Sequence, residues 1–442
     1  MKAVILSAGP GTRLRTGEND LPKPLTPLFG LTLVERAILS CNKAGVREFL
    51  VVVGSQKETL IPHLEELKER HRLSIQMVEN PAWELGNGTS VLACEPYLDE
   101  PFLLIMGDHL FDPQILQRLM EEKEGELCWL AVDTHLESIR DIEEATKVWV
   151  EDNRITAIGK DISSFNGVDT GLFLCQPSIF EALRAAQAEG DFTLSGGVRK
   201  LIEKGKMAWV SARGLFWHDI DTKEHLQQAR TLLLKALTKP QEDGWVASYL
   251  NRPLSRRISG YLAEWGLSPN LITVCSFLLS LAGGSLFALG NHFHAFLAGI
   301  LVQLASVIDG CDGEVARLKL QTSHFGAWFD TLLDRYGEIA IVAGITYGFG
   351  HNWPPLPRWV GAFLAITGFI MASYIKKEFT LRYHSPLPEG HLSKLVKRDL
   401  RLFALFLGAL AGYPFRTMVM LGLLSHLWVL WSLLTIRGKS KN

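Results

Sequence analysis

Between Leu271 and Ile436 long apolar runs alternate with short polar breaks, and four aspartates, Asp309, Asp312, Asp330 and Asp334, lie among them. Apolar runs of this kind read as bilayer-spanning helices, and carboxylates placed there are expensive enough to be functional by default. Asp309 and Asp312 are three residues apart and Asp330 and Asp334 four apart, so each pair shares one helix face. Converging carboxylates repel one another unless cations sit between them. Hard divalent ions with oxygen ligands, Mg²⁺ or Mn²⁺, suit such a site, and Mg²⁺ commonly works with a few carboxylates plus substrate phosphates. The pattern therefore predicts a metal site that handles phosphate, built into a helical membrane domain.

Six apolar segments, near Leu271–Leu289, Phe293–Ile308, Ala327–Phe349, Trp359–Ile375, Leu402–Tyr413 and Phe415–Ile436, predict an all-α membrane domain of about six transmembrane helices. Basic residues are unevenly placed around them. Arg252, Arg256 and Arg257 precede the first, Arg317 and Lys319 follow the second, Lys376 to Arg401 separate the fourth and fifth, and Arg437, Lys439 and Lys441 end the chain. The alternate loops carry almost none, so the expected topology puts both termini and the Asp cluster on the cytoplasmic side of a multi-pass protein of the cell membrane. Trp245 to Trp265 mixes apolar residues with arginines, as in an amphipathic helix at the membrane interface.

The amino-terminal half is different in kind. Its charges are dense and its apolar runs short, which predicts a soluble α/β domain over residues 1–238, with the membrane domain at 239–442 and a polar linker at Thr238–Gly244. Ala3-Val4-Ile5-Leu6 is too short for a signal peptide and reads as a first buried parallel strand. Six cysteines lie far apart without a C-x-x-C pair, which indicates neither a disulfide framework nor a zinc site. The net charge of −2 averages two unlike halves, and no nucleic-acid partner is expected. After the strand, Gly9-Pro10-Gly11-Thr12-Arg13 would bring backbone N–H groups to a phosphate, with Arg13 and Lys23 supplying charge.

Written out, the aspartate stretch is D-x-x-D-G-x-x-A-R-x8-G-x3-D-x3-D, from Asp309 to Asp334. It resembles the signature of the CDP-alcohol phosphatidyltransferase family at every fixed position. The resemblance implies that Asp309, Asp312 and Asp330 hold one or two metal ions against a CDP diphosphate, and that Asp334 takes the proton or shares a metal. It implies further that Gly313 and Gly326 admit the nucleotide and Arg317 steadies the diphosphate. Asn251-Arg252-Pro253-Leu254-Ser255 resembles a segment that in such relatives contributes to an acceptor-phosphate pocket, with Arg252 the residue carried over. A soluble acceptor would need a basic pocket drawn from Arg252, Lys376, Lys377, Arg382, Arg398 and Arg401; a lipid acceptor would need a lateral opening. Relatives of this half tend to be homodimers, and membrane lipids are its surroundings.

Residues 1–225 resemble the nucleotidyltransferases that make sugar nucleotides, with their Rossmann-like α/β fold. The likeness rests on Gly9, Gly11, Thr12 and Arg13, on Pro22-Lys23-Pro24, on Leu85-Gly86-Asn87-Gly88-Thr89-Ser90, on Gly107-Asp108 and on Asp219-Ile220-Asp221. It implies a base-recognition loop at Gly86, Gly88 and Ser90, and a metal held by Asp108 and Asp221, with Asp219 a nearby alternative. Lys160, assisted by Lys147, would orient the acceptor phosphate; Asp169 either lines the same pocket or marks a strand-end turn. The histidines, His109 and His218 included, are given no role. Relatives acting on hexoses often show Glu-Lys-Pro where this chain has Gly159-Lys160-Asp161, which points away from an ordinary aldose phosphate.

Joining the halves makes sense if one produces what the other consumes, since tethering shortens the path of an intermediate. The combination resembles the bifunctional family that fuses an inositol-1-phosphate cytidylyltransferase to a di-myo-inositol-phosphate phosphate synthase. The resemblance implies CTP and inositol 1-phosphate as substrates, CDP-inositol as the intermediate, Mg²⁺ or Mn²⁺ as cofactor, and a compatible solute as the end of the route.

Overall fold

Lys2–Leu6 (β1) is apolar on both faces, as a strand in the middle of a covered parallel sheet must be. Ala3 and Ile5 enter one core cluster and Val4 the other. The computed structural model describes residues 1–14, 21–122, 125–139, 142–237, 244–385, 387 and 391–439. They form two compact units, Met1–Leu232 and Leu233–Asn442.

The first unit is a nine-stranded sheet. After β1 come Glu48–Val53 (β2), Ser74–Glu79 (β3), Phe102–Met106 (β4), Cys128–Asp133 (β5), Lys147–Glu151 (β6), Arg154–Gly159 (β7), Gly167–Cys175 (β8) and Met207–Ser211 (β9). Their spatial order is β3-β2-β1-β4-β8-β5-β9-β7-β6. β1 runs parallel to β2 and β4, while β8 is antiparallel to β4 and β5. Helix Leu33–Ala44 covers one face and helices Ser178–Ala188 and Leu194–Glu203 the other. In such sheets ligands bind beyond the carboxyl ends of parallel strands. The loop after β1 and Asp108 after β4 both emerge there.

The second unit is helical. Ala247–Asn251 forms a π-helical turn leading into Arg252–Glu264 (α1), followed by Pro269–Ala288 (α2), His292–Leu318 (α3), His324–Phe349 (α4), Pro355–Tyr383 (α5), Arg398–Leu410 (α6) and Pro414–Lys439 (α7). Ser268, Asn291 and Ser323 each cap a helix by accepting the backbone N–H of the residue three positions on. All six apolar segments expected from the sequence lie on helices, α2 to α7. By length and composition, however, four of the described helices suffice to cross a membrane: α2, α3, α5 and α7. α6 has 13 residues, about 20 Å of helix, and α4 carries Asp330, Asp334, Arg335 and Glu338. The linker expected at Thr238–Gly244 falls, apart from Gly244, outside the described residues. Phe293, Leu304, Phe363, Leu427 and Leu434 are exposed, so large apolar side chains face outward, the reverse of a water-soluble bundle.

Small residues set the helix crossings, as expected where lipid offers no hydrophobic drive between helices. A Cβ added to Gly344 of α4 would lie 1.9 Å from the Gly284 carbonyl oxygen of α2, and one added to Gly284 would lie 2.6 Å from the Ala340 carbonyl oxygen. The two backbones therefore touch. Gly344→Leu should destabilise the detergent-solubilised protein by about 3 kcal/mol or more, read as a lowered Tm. Ala343→Leu, at the exposed neighbouring position, should stay within about 0.5 kcal/mol; equal effects would mean that the crossing is not limiting.

Candidate active sites in the two units

In the first unit the loop after β1 and the ends of β4 enclose a cavity of about 280 Å³, lined by Gly9, Gly11, Thr12, Arg13, Lys23, Asp108 and Asp221 among others. Gly11 has φ +60°, and a Cβ there would lie 2.3 Å from the Lys23 Cβ, so only glycine lets the loop pass over that lysine. Lys23 Nζ donates to Asp108 Oδ2 and Asp221 Oδ1, both at 2.6 Å. Arg13 Nη1 lies 3.0 Å from Glu144 and 3.4 Å from Asp221. On the other side of Asp108, His109 Nδ1 sits 2.8 Å from Asp108 Oδ1 and 3.6 Å from Asp219 Oδ1.

Charge governs this cluster. Burial disfavours the Lys23 ammonium, yet Asp108, Asp219 and Asp221 together push its pKa above the ordinary lysine value. Asp108 is buried too, and Lys23 and His109 nevertheless hold it below the usual carboxylate range. Against its own burial, His109 is pushed up to about 9 by Asp219 and Asp108. Burial raises the Asp219 carboxyl; His109 and Lys23 oppose the rise, and repulsion from Asp108 and Asp221 adds to it. Asp108, His109 and Asp219 offer ligand atoms within 4.8 Å of one another. Asp219 Oδ1 is buried without a hydrogen-bond partner among the described residues. An orphaned carboxylate oxygen beside the Asp108 carboxylate fits a cation.

In the second unit Asp309 on α3 and Asp330 and Asp334 on α4 converge, with ligand atoms within 4.8 Å of one another. Arg398, the first residue of α6, lies across them: Nη1 is 2.6 Å from Asp309 Oδ2 and Nη2 2.8 Å from Asp334 Oδ1. Asp330 Oδ1 is buried with no hydrogen-bond partner among the described residues, again the signature of a cation site. Beneath it, Glu338 accepts from Arg335 and Arg401, each at 2.6 Å, and Arg401 stacks over Phe369 with 4.5 Å to the ring centre. Beside these aspartates opens a cavity of roughly 1350 Å³ whose walls include Asp309, Asp334, Arg252, Lys376, Lys377 and Arg398.

The comparisons with known proteins follow the same division. Residues 3–208 match the MobA-like NTP transferase domain and residues 266–435 the CDP-alcohol phosphatidyltransferase family. Over its whole length the chain is 34% identical to the bifunctional IPC transferase and DIPP synthase of Aquifex aeolicus, covering 100% of this chain and 99% of that one. It is 36% identical to the protein of the same name from Rubrobacter xylanophilus, covering 99% and 97%. The chain belongs to the family of bifunctional IPC transferases and DIPP synthases. Among solved structures, the inositol-1-phosphate CTP transferase from T. maritima superposes with a TM-score of 0.48 at 30% identity, covering 52% of this chain and 94% of that one.

Within this bifunctional framework the expected residues are not all assembled alike. Gly9, Gly11, Thr12, Arg13, Lys23, Asp108 and Asp221 meet in one cavity. Lys147 and Lys160 lie off it and touch each other, Lys147 Nζ donating to the Lys160 carbonyl at 3.0 Å. Ser90 is buried and turned to Asn80, whose Nδ2 is 2.9 Å away. Gly86 and Gly88 press on Phe192, where added Cβ atoms would come within 2.6 and 2.7 Å of its carbonyl oxygen. Asp312 faces α2, accepting from Thr273 Oγ1 at 2.6 Å and from the Gly313 N–H. Gly313 is open apart from Arg317, whose Nη1 would be 3.3 Å from an added Cβ, and Gly326 lies at the start of α4 beside its Ser323 cap. Arg252 lines the large cavity with one nitrogen on Glu314 at 2.9 Å. Arg401, offered for a basic pocket, is buried on Glu338 instead.

Two contributors were missed. His109 completes the first cluster, and its adjacency to Asp108 was the available signal. Glu314, wholly buried, accepts from Arg252, Ser255 and Ser259 and so fixes α1 to α3; a glutamate inside the aspartate signature was the clue.

Asp169 Oδ1 accepts the Gly171 N–H at 2.6 Å. Burial pushes its pKa up to about 6, against that hydrogen bond and the nearby His109. An unfolded aspartate titrates near about 3.9, so ionising Asp169 disfavours the folded state. The penalty is absent below about pH 4 and complete above about pH 6. Asp169→Asn keeps an acceptor for Gly171 and should stabilise the protein at pH 7 by an amount on the order of 1 kcal/mol, with no gain at pH 4, as read by thermal unfolding at the two pH values. Equal gains at both would assign the effect to something other than ionisation.

Proposed function

We propose that the chain catalyses two consecutive displacements at phosphorus. In the first, a phosphate oxygen of inositol 1-phosphate attacks the α-phosphorus of CTP and diphosphate leaves, giving CDP-inositol. In the second, a hydroxyl of another inositol 1-phosphate attacks the inositol-bearing phosphorus of CDP-inositol, CMP leaves, and a phosphorylated di-myo-inositol phosphate results. The observation that carries this reading is the pairing, in one chain, of a phosphate-loop site and a three-carboxylate site, together with full-length relatives whose names join an IPC transferase to a DIPP synthase.

Such steps depend mainly on positioning and charge neutralisation. Mg²⁺ suits both all-oxygen donor sets, Asp108 with Asp219 or Asp221 and Asp309 with Asp330 and Asp334, and would supply neutralisation of the nucleotide's phosphates. Around the first site Arg13 and Lys23 add fixed positive charge for the departing diphosphate. No base is required there, because the attacking phosphate is already anionic. The second nucleophile is a hydroxyl and must lose its proton, which Asp334 accepts. Arg252, Lys376 and Lys377 on the cavity wall favour a phosphorylated, soluble acceptor and hold its phosphate. α4 and α6 complete six spans, with their charges turned into the bundle and lipid around the outward apolar residues. The positive charge of Arg317, Lys319, Lys376 and Lys377 supports an orientation with the Asp cluster and the first unit on the cytoplasmic side.

The test is a two-stage assay of the full chain in detergent with CTP, Mg²⁺ and inositol 1-phosphate, following diphosphate and then CMP. Asp108→Asn should lower diphosphate release by about 100-fold or more, and supplied CDP-inositol should restore CMP release. Asp334→Asn should leave diphosphate release intact and abolish that of CMP. CMP release that begins only when lipid is added would overturn the soluble acceptor.

A further inference from the structure

Arg398 occupies the place that a divalent ion needs. Its two terminal nitrogens take one oxygen each from Asp309 and Asp334, while the third carboxylate keeps an unpartnered oxygen, Asp330 Oδ1. A dication and a guanidinium cannot share these atoms. Both would stand within about 4 Å of each other, where like charges repel strongly at protein-like dielectric.

Of the three guanidiniums around the site, Arg398 is the one whose ion pairs are all to the site aspartates. Arg401 is 1% exposed and held by Glu338, by the Phe369 carbonyl at 3.2 Å and by the Phe369 ring. Arg335 is tied to Glu338 and, at 2.8 Å, to Ser373 Oγ. Arg398 pairs with the two site aspartates alone among the described residues, and it starts α6 at the wall of the large cavity. Lys376 and Lys377 line that cavity with it. A displaced Arg398 side chain has a short path into a basic space suited to a phosphate.

We infer that Arg398 is an internal counter-cation that holds the Asp309, Asp330 and Asp334 site until a divalent ion displaces it, and that the released guanidinium then receives the acceptor's phosphate, so that metal and phosphate bind with positive coupling. This rests on the reading above that the aspartates bind metal and the cavity a phosphorylated acceptor. By linkage each ligand tightens the other by the same factor. Removing the guanidinium raises metal affinity and abolishes the coupling.

Mn²⁺ binding to the full chain in detergent, measured by electron paramagnetic resonance, tests this without turnover. Asp108→Asn, Asp219→Asn and Asp221→Asn are introduced first, so that the soluble unit does not contribute. Adding Arg398→Gln should tighten Mn²⁺ binding by roughly 10-fold, equivalent to about 1.4 kcal/mol. Inorganic phosphate should tighten Mn²⁺ binding several-fold with Arg398 present and leave the Arg398→Gln affinity unchanged. Arg398→Lys, which keeps the charge but cannot bridge both carboxylates, should fall between the two and serves if the glutamine variant does not fold. Unchanged or weaker Mn²⁺ binding in Arg398→Gln would overturn the displacement, and phosphate tightening both proteins equally would overturn the coupling. Failure of the two-stage assay with intact Mn²⁺ behaviour would instead indict the assigned reaction.

Discussion

The ion pairs from Arg398 to Asp309 and Asp334, 2.6 and 2.8 Å long, join α6 to α3 and α4 where three carboxylates meet. Without positive charge between them, two carboxylates 4 Å apart repel by about 4 kcal/mol at an effective dielectric constant of 20. Helix packing alone has to overcome that. α2 contributes from the other side, with Thr273 on Asp312 and Ser276 on Asp309, before its Gly284 meets Gly344 of α4 further along. The polar contacts and the close crossing thus lie on one helix, and a shift of α2 would disturb the aspartates on α3 along with the position of α4. Lower still, Glu338 between Arg335 and Arg401 repeats the rule that a buried charge is kept only with its partner.

The first unit meets the same constraint with other means. Lys23 stands between Asp108 and Asp221 as a compact point charge, whereas Arg398 spans two helices with a planar fork. The choice follows from the geometry to be bridged. Asp108 lies in the turn after β4 and Asp221 follows the short strand Trp217–Asp219, which pairs with His109–Phe111, so their oxygens already converge and one ammonium reaches both. Asp309 and Asp334 belong to separate helices, and a rigid two-pronged cation sets their separation as well as their charge.

Much of this was legible in the sequence because it is periodic or local. The apolar run Ala3–Leu6 specified a buried strand, and the six apolar segments specified helices. What composition did not fix was how a helix uses its polar residues. α4 was counted as a span from Ala327 to Phe349 with its four charged residues inside, and the Leu402–Tyr413 segment became a helix of 13 residues. Carboxylate spacing placed Asp309 and Asp312 on one face of α3 correctly in helical terms, but three residues of rotation are enough for Thr273 to take Asp312 while Asp309 meets Arg398. Contacts between distant segments left no trace in spacing at all: Lys23 with Asp221, Arg252 with Glu314, and Arg401 with Glu338. Ser90 illustrates the converse, since a loop that matches by residue type can still turn its hydroxyl inward, here to Asn80.

The difference between the two chemistries follows from the proton. A phosphate nucleophile arrives deprotonated, so a cluster of cations around Asp108 is sufficient, and Arg13 and Lys23 line that cavity. A hydroxyl nucleophile requires a carboxylate that is ionised and also not fully engaged. Asp334 carries two guanidiniums, Arg398 at 2.8 Å and Arg335 at 3.4 Å, so each of its oxygens is engaged. Release of Arg398 would leave it with the weaker, longer contact to Arg335 alone. On the proposed reading, the Arg398 contact competes both with the metal and with the proton that Asp334 would take.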